Sequence, residues 1–153
     1  MQEIDLTKSK DVIGAYNSID FSYERKNYTD YGTQYCFDVL EGKIVAGYNI
    51  QLACFRHLRD LQRQGDSDFP YVYSVEAFNR FLKFLSLVPN VDDLSQKLEP
   101  MDWQYFIFAQ LFAWFDLDDV PRFSNIIISI ARSQGKTMIA GICLNFSYLI
   151  EII

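Results

Sequence analysis

A mostly helical chain that ends in a strand, a tight turn and a helix is what this sequence predicts, and three observations carry the prediction. Apolar residues recur at helical spacing in several stretches between Tyr48 and Phe112. A continuous β-branched run fills positions 123–131. Directly behind it stand Gly135-Lys136-Thr137 and a further helical pattern. The 153 residues suit one domain that buries about two-thirds of the surface its unfolded chain would expose. Half of them are apolar and 22% are charged, with 7 Gly and 4 Pro, a balance that excludes disordered and collagen-like chains.

The elements follow in order. Residues 1–28 mix Lys, Asp, Ser, Asn and Tyr without a period and read as an N-terminal arm. Residues 29–97 read as a helical region. A short helix is expected from Thr29 to Leu40, and Gly42 and Gly47 bracket a turn. Between Tyr48 and Gln64, Ile50, Cys54, Leu58 and Leu61 share one face with Leu52 and Phe55, the other face is basic, and Gly65 stops the helix. Ser74 is a credible N-cap for the helix carrying Phe78, Phe81, Leu82 and Leu85, which Pro89-Asn90 closes. Residues 98–153 begin with Pro100 at a first-turn position of a helix, Trp103 to Phe112, that is apolar nearly all round. Asp116, Asp118 and Asp119 mark its exit and read as turn residues rather than a metal site. The run Phe123 to Ala131 reads as a strand buried on both faces, the one convincing strand of the chain. Ile139, Ile142, Cys143, Phe146 and Ile150 then place a helix from Gly135 or Lys136 onward.

Charge and special residues narrow the function classes. Fourteen Lys and Arg against 20 Asp and Glu, net −6, argue against a chain wrapped by nucleic acid over its whole surface and leave room for a local basic patch. Cys36, Cys54 and Cys143 are odd in number and sit in apolar contexts, so they read as reduced core residues, without a disulfide framework or a zinc site. The N-terminus has no signal pattern and no apolar run approaches membrane-spanning length, so a cytosolic protein with no membrane partner is expected. Aromatic residues make up 16%, more than a small core usually uses, so part of that surface is expected to meet a partner.

Ile130-Ala131-Arg132-Ser133-Gln134-Gly135-Lys136-Thr137 matches the second half of a phosphate-binding P-loop. In that motif, backbone N–H groups and a helix N-terminus hold phosphates, the Lys ammonium reaches the outer phosphates and the Thr hydroxyl ligates Mg²⁺. The usual first Gly is Ile130 here. The plain alternative is a helical protein with a fortuitous Gly-Lys-Thr and no nucleotide role. Arg56, Arg59 and Arg63 share one face of the second helix beside His57; a solvated face and a contact for DNA phosphate or a neighbouring subunit are both open. His57, with no ligand partner nearby in sequence, is not read as catalytic or metal-bound.

With these residues in view the chain resembles the large terminase subunit of tailed bacteriophages, their DNA-packaging motor. Four blocks carry the resemblance: Gly42 to Gly47; Leu52 to Leu61; Leu98-Glu99-Pro100 with Trp103-Gln104; and the P-loop, whose Ile130 and Arg132 also look like traits of that family. The resemblance implies a helical lid region followed by the first strand, P-loop and helix of an α/β P-loop NTPase core, incomplete here. It implies ATP and Mg²⁺ held by Ser133, Gln134, Gly135, Lys136 and Thr137, with Thr137 as the Mg²⁺ contact and Arg132 as a catalytic cis arginine. Trp103-Gln104 resembles the adenine-recognition motif, core packing being the equal alternative for Trp103. Other terminase subunits, the portal and double-stranded DNA would be partners, in the cytoplasm of a bacterial host. The acidic strand that would activate water and the family's C-terminal nuclease are not in the sequence, so an N-terminal piece is expected, with weak or no nucleotide binding and no turnover. A helical module that docks on terminase subunits, the portal or DNA is the competing reading. Self-association through 123–131 is expected from that strand's uncovered faces and edges.

Overall fold

The computed structural model describes residues 4–152, and the side chains of Lys8, Ile150, Glu151 and Ile152 lie outside the described set. The chain is mostly helical, as its periodicities predict. The expected arm, of which residues 1–3 lie outside the described residues, is instead built into three short helices, α1 (Leu6–Ser9), α2 (Val12–Asn17) and α3 (Ser22–Asn27). Such short helices cannot display a period, but their caps are written in the sequence. Asp5 accepts from Thr7 N–H at 2.9 Å and Asp11 from Gly14 N–H at 2.8 Å. Val12, Ala15 and Phe21 pass into the core, so this segment is part of the body.

α4 (Tyr31–Leu40) is the central helix and packs on α5 (Tyr48–Arg63) and α7 (Asp102–Phe112). Its start is fixed by Asp30, whose carboxylate accepts from Thr33 N–H at 3.0 Å. Gly32 lets α4 and α7 close: a Cβ there would meet Ala109 Cβ at 2.4 Å, inside any permitted contact. On α5 the buried face is Cys54, Phe55, His57, Leu58, Asp60 and Leu61; Ile50, expected on it, is 44% exposed. Ser74 caps α6 (Val75–Leu85) through Ala77 N–H at 3.1 Å, as predicted. Pro100 falls one residue outside the α7 cap, which is Met101, so the helix opens at Asp102.

Two short strands escaped the sequence reading. β1 (Tyr71–Tyr73) and β2 (Trp114–Asp116) pair antiparallel with Tyr71 opposite Asp116 and Tyr73 opposite Trp114. Three residues each are too few to show alternation. The last helix, α8 (Lys136–Ile152), docks by Ile139, Ile142 and Phe146; the Phe146 ring lies 5.0 Å from Phe81 and 4.9 Å from Phe112. Cys36 and Cys54 are buried, Cys143 is half-buried, and all three are free thiols.

The expected strand at 123–131 is corrected by the structure. The segment carries no strand, and no backbone–backbone hydrogen bond is formed by residues 123–131 among the described residues. Ile126 is 48% and Ile127 96% exposed, so the reading of burial on both faces does not hold either; Ile128 and Ile130 are half-buried. β-branched composition expresses a preference for extended backbone, whereas a strand also needs a neighbour to complete its ladder. The described elements place none alongside it.

Candidate functional site

The loop between the uncovered segment and α8 has two residues in the left-handed region. Ser133 stands at φ +63° and Gly135 at φ +79°, with Gln134 between them outside the left-handed region. Alternating hands are a backbone pattern in which successive N–H groups can turn to one side toward an anion. Glycine takes the second left-handed position at no steric cost, whereas Ser133 holds the first at a cost of about 1 kcal/mol or more. α8 begins at Lys136, so the unpaired N–H groups of its first turn and the positive end of its dipole lie next to this loop. Lys136 Nζ donates to the Ile130 carbonyl at 2.8 Å, which folds the ammonium back over the loop.

Of the residues singled out in the sequence, the structure brings Gln104 to this loop. A Cβ built on Gly135 would lie 3.2 Å from Gln104 Nε2, so the first turn of α7 and the first turn of α8 meet there. Arg132, Ser133, Gln134 and Thr137 are exposed along the loop and the start of α8. Trp103 is half-buried, packs against the core and donates from Nε1 to Met101 Sδ at 3.3 Å. Asp118 and Asp119 lie in a turn whose Asp116 carboxylate accepts from two backbone N–H groups. Among the described residues no cluster of His, Cys, Asp and Glu is arranged to hold a metal ion.

The three α5 arginines do not form one open patch. Arg63 pairs with Asp68 at 3.3 Å and stacks over Phe69, and Arg59 donates to Gln62 at 2.8 Å. Arg56 is exposed, with its guanidinium 5.7 Å from the Phe123 ring at the near end of the uncovered segment.

Beneath these features lies a buried polar network that sequence reasoning missed. Trp114 Nε1, a donor only, gives to His57 Nδ1 at 3.3 Å, and Gln110 Nε2 lies 2.9 Å from the same atom. Nδ1 is therefore the acceptor, and Nε2–H donates to Thr33 Oγ1 at 3.0 Å. Thr33 Oγ1–H donates to the Asp30 carboxylate at 2.9 Å, and the Tyr73 hydroxyl donates to the same carboxylate at 2.8 Å. Full burial, with the Arg56 and Arg122 charges adding to it, pushes the His57 pKa down to about 3, so the ring is neutral. Burial likewise raises the Tyr73 hydroxyl well above its ordinary value, aided by the Asp30 charge. Donor, acceptor and tautomer are all assigned, which makes this a structural hub joining α4, α5, α7, β1 and β2.

Arg122 was also unforeseen. Its guanidinium pairs with buried Asp60 at 2.8 Å and lies within about 5 Å of the rings of Phe69, Tyr71, Trp114 and Phe123, while the backbone N–H of Arg122 donates to the Trp114 carbonyl. It ties the start of the uncovered segment to the body. The signal was available: an aspartate on the buried side of α5 calls for a basic partner.

No family model matches the chain, and comparison with curated proteins and with solved structures finds no match.

Proposed function

We propose that this chain is a nucleoside-triphosphate-binding part of a DNA-packaging motor of the bacteriophage terminase type, with Ser133 to Thr137 as its phosphate loop. The observation that supports it is the alternation of hand at Ser133 and Gly135 immediately before an N-terminal helical lysine. These residues fit the phosphate chain of ATP: backbone N–H groups of the loop and the Lys136 ammonium would hold it, the Thr137 hydroxyl would take Mg²⁺, and Arg132 would lie on the same loop. Bound ATP and Mg²⁺ would supply a phosphoanhydride and the charge that shields it. The chain's own part is to bind and orient. The same reading keeps double-stranded DNA, the portal and other terminase subunits as partners and a bacterial cytoplasm as location. No helix among the described residues is long and apolar enough to cross a membrane.

Titrating Mg·ATP into the protein by calorimetry tests the proposal. Saturable binding that Lys136→Ala abolishes, with the circular dichroism unchanged, is the expected result. No binding by the native chain, or equal binding by the variant, overturns it. For DNA, Arg56 is the informative arginine because Arg59 and Arg63 are engaged within the chain. Arg56→Glu should weaken salt-dependent duplex binding, and an unchanged affinity removes this face from consideration.

A second copy of this chain is the partner proposed for the segment 123–131, because among the described residues it forms no backbone–backbone hydrogen bond and Ile127 is 96% exposed. Sedimentation should then show concentration-dependent association that Ile127→Lys reverses. A clean monomer at all concentrations refutes it.

A further inference from the structure

We propose that Gln104 serves the phosphate end of the ligand and does not read its base, an inference that rests on the phosphate reading of the loop. Gln104 is 3% exposed, and its amide is oriented by a single hydrogen bond. Met101 N–H must be met by an acceptor, and Oε1 meets it at 2.9 Å, closing the start of α7. The amide is thereby turned so that Nε2 lies toward Gly135, 3.2 Å from where a Cβ on that glycine would stand. Among the described residues Nε2 has no acceptor. An amide N–H pair without an acceptor beside this loop adds a side-chain donor where two helix N-termini already concentrate positive potential. Recognition of an adenine edge would require the same amide to donate and accept together. Its acceptor is already committed to the helix cap, so only donation remains for a ligand. The ligand class this selects is a polyphosphate chain, whichever base it carries.

The test compares ATP, GTP and inorganic tripolyphosphate by competition on the native chain and on Gln104→Glu. That substitution keeps an oxygen for Met101 N–H and replaces the donor with a carboxylate facing the phosphates. All three ligands should weaken together by about tenfold or more at pH 7.5, with the ATP to GTP ratio unchanged. Relative to the native chain at each pH, the loss should shrink as the pH falls below about 5, where the carboxyl group regains a proton and can donate. A merely structural defect would not reverse with that protonation. Gln104→Met, close in volume, is the second variant and should weaken the three ligands equally but less. Loss confined to ATP with tripolyphosphate unaffected, or no loss for any ligand, overturns the inference. If the native chain binds none of the three, the phosphate reading itself falls, and this inference with it.

Discussion

The region around His57 and the segment from Phe123 to Ile130 follow opposite rules within one short chain. Around His57 each polar group has a partner: two donors serve Nδ1, Thr33 takes the proton on Nε2, and Asp30 collects Thr33 and Tyr73. Along the segment no backbone group pairs with another backbone group among the described residues, and Ile127 stands in solvent. Both regions are rich in large apolar side chains. What separates them is completeness of hydrogen bonding, so apolar content alone does not make a core. The contrast is sharpest at Arg122, which belongs to both: its side chain is sealed among four rings and Asp60, while the residue after it enters the unpaired stretch.

The largest expected effect comes from breaking the body at that junction. Arg122→Met leaves the Asp60 charge buried without its closest partner, and chemical denaturation should show a loss of about 3–5 kcal/mol. Next is Gly32→Ala, whose methyl would drive into Ala109; about 1–3 kcal/mol should be lost, and Gly32→Ala paired with Ala109→Gly should recover part of it. Third is the pH response. His57 is depressed from 6.5 to about 3 in the folded state, so the unfolded chain binds the extra proton between those values. Stability from this source is complete above about pH 6.5 and falls on acidification, with a slope approaching about 1.4 kcal/mol per pH unit. Urea midpoints between pH 7 and pH 4 should show it, and His57→Gln should flatten the dependence. The smallest effect is expected in the segment: Ile127→Thr should change stability by no more than about 0.5 kcal/mol. Amide exchange at 123–130 should outpace that of α4 by orders of magnitude; slow exchange there would show a hydrogen-bonding partner in solution.

How far the sequence reached differs between the same two regions. Repetition is legible, so the limits of α5, the Ser74 cap of α6 and the inward side chains Ile139, Ile142 and Phe146 of α8 were all readable before any coordinates. The His57 hub was not, because its partners come from positions 30, 33, 73, 110 and 114, and pattern within one helix carries no information about them. The segment failed for the reverse reason. Its isoleucines announce a preference correctly, but a strand is a property of at least two pieces of chain, and composition describes one. At the loop, Gly135 and Lys136 were legible as residue types, whereas the left-handed turn at Ser133 and the approach of Gln104 depend on how α7 and α8 meet. The three short N-terminal helices were signalled by Asp5 and Asp11, capping residues followed by too little helix to reveal a period.

The hub around His57 also sets a timetable for the newborn chain. Trp114 follows His57 by 57 residues, and Arg122 follows Asp60 by 62. At ribosomal speeds of about 5–20 residues per second, roughly 3–12 seconds pass between the appearance of each buried group and that of its partner. Over that interval α4 and α5 exist without the helix and strand that finish them, presenting an aspartate and an imidazole beside bare apolar faces. The cover of α4 is complete only once α7 has arrived.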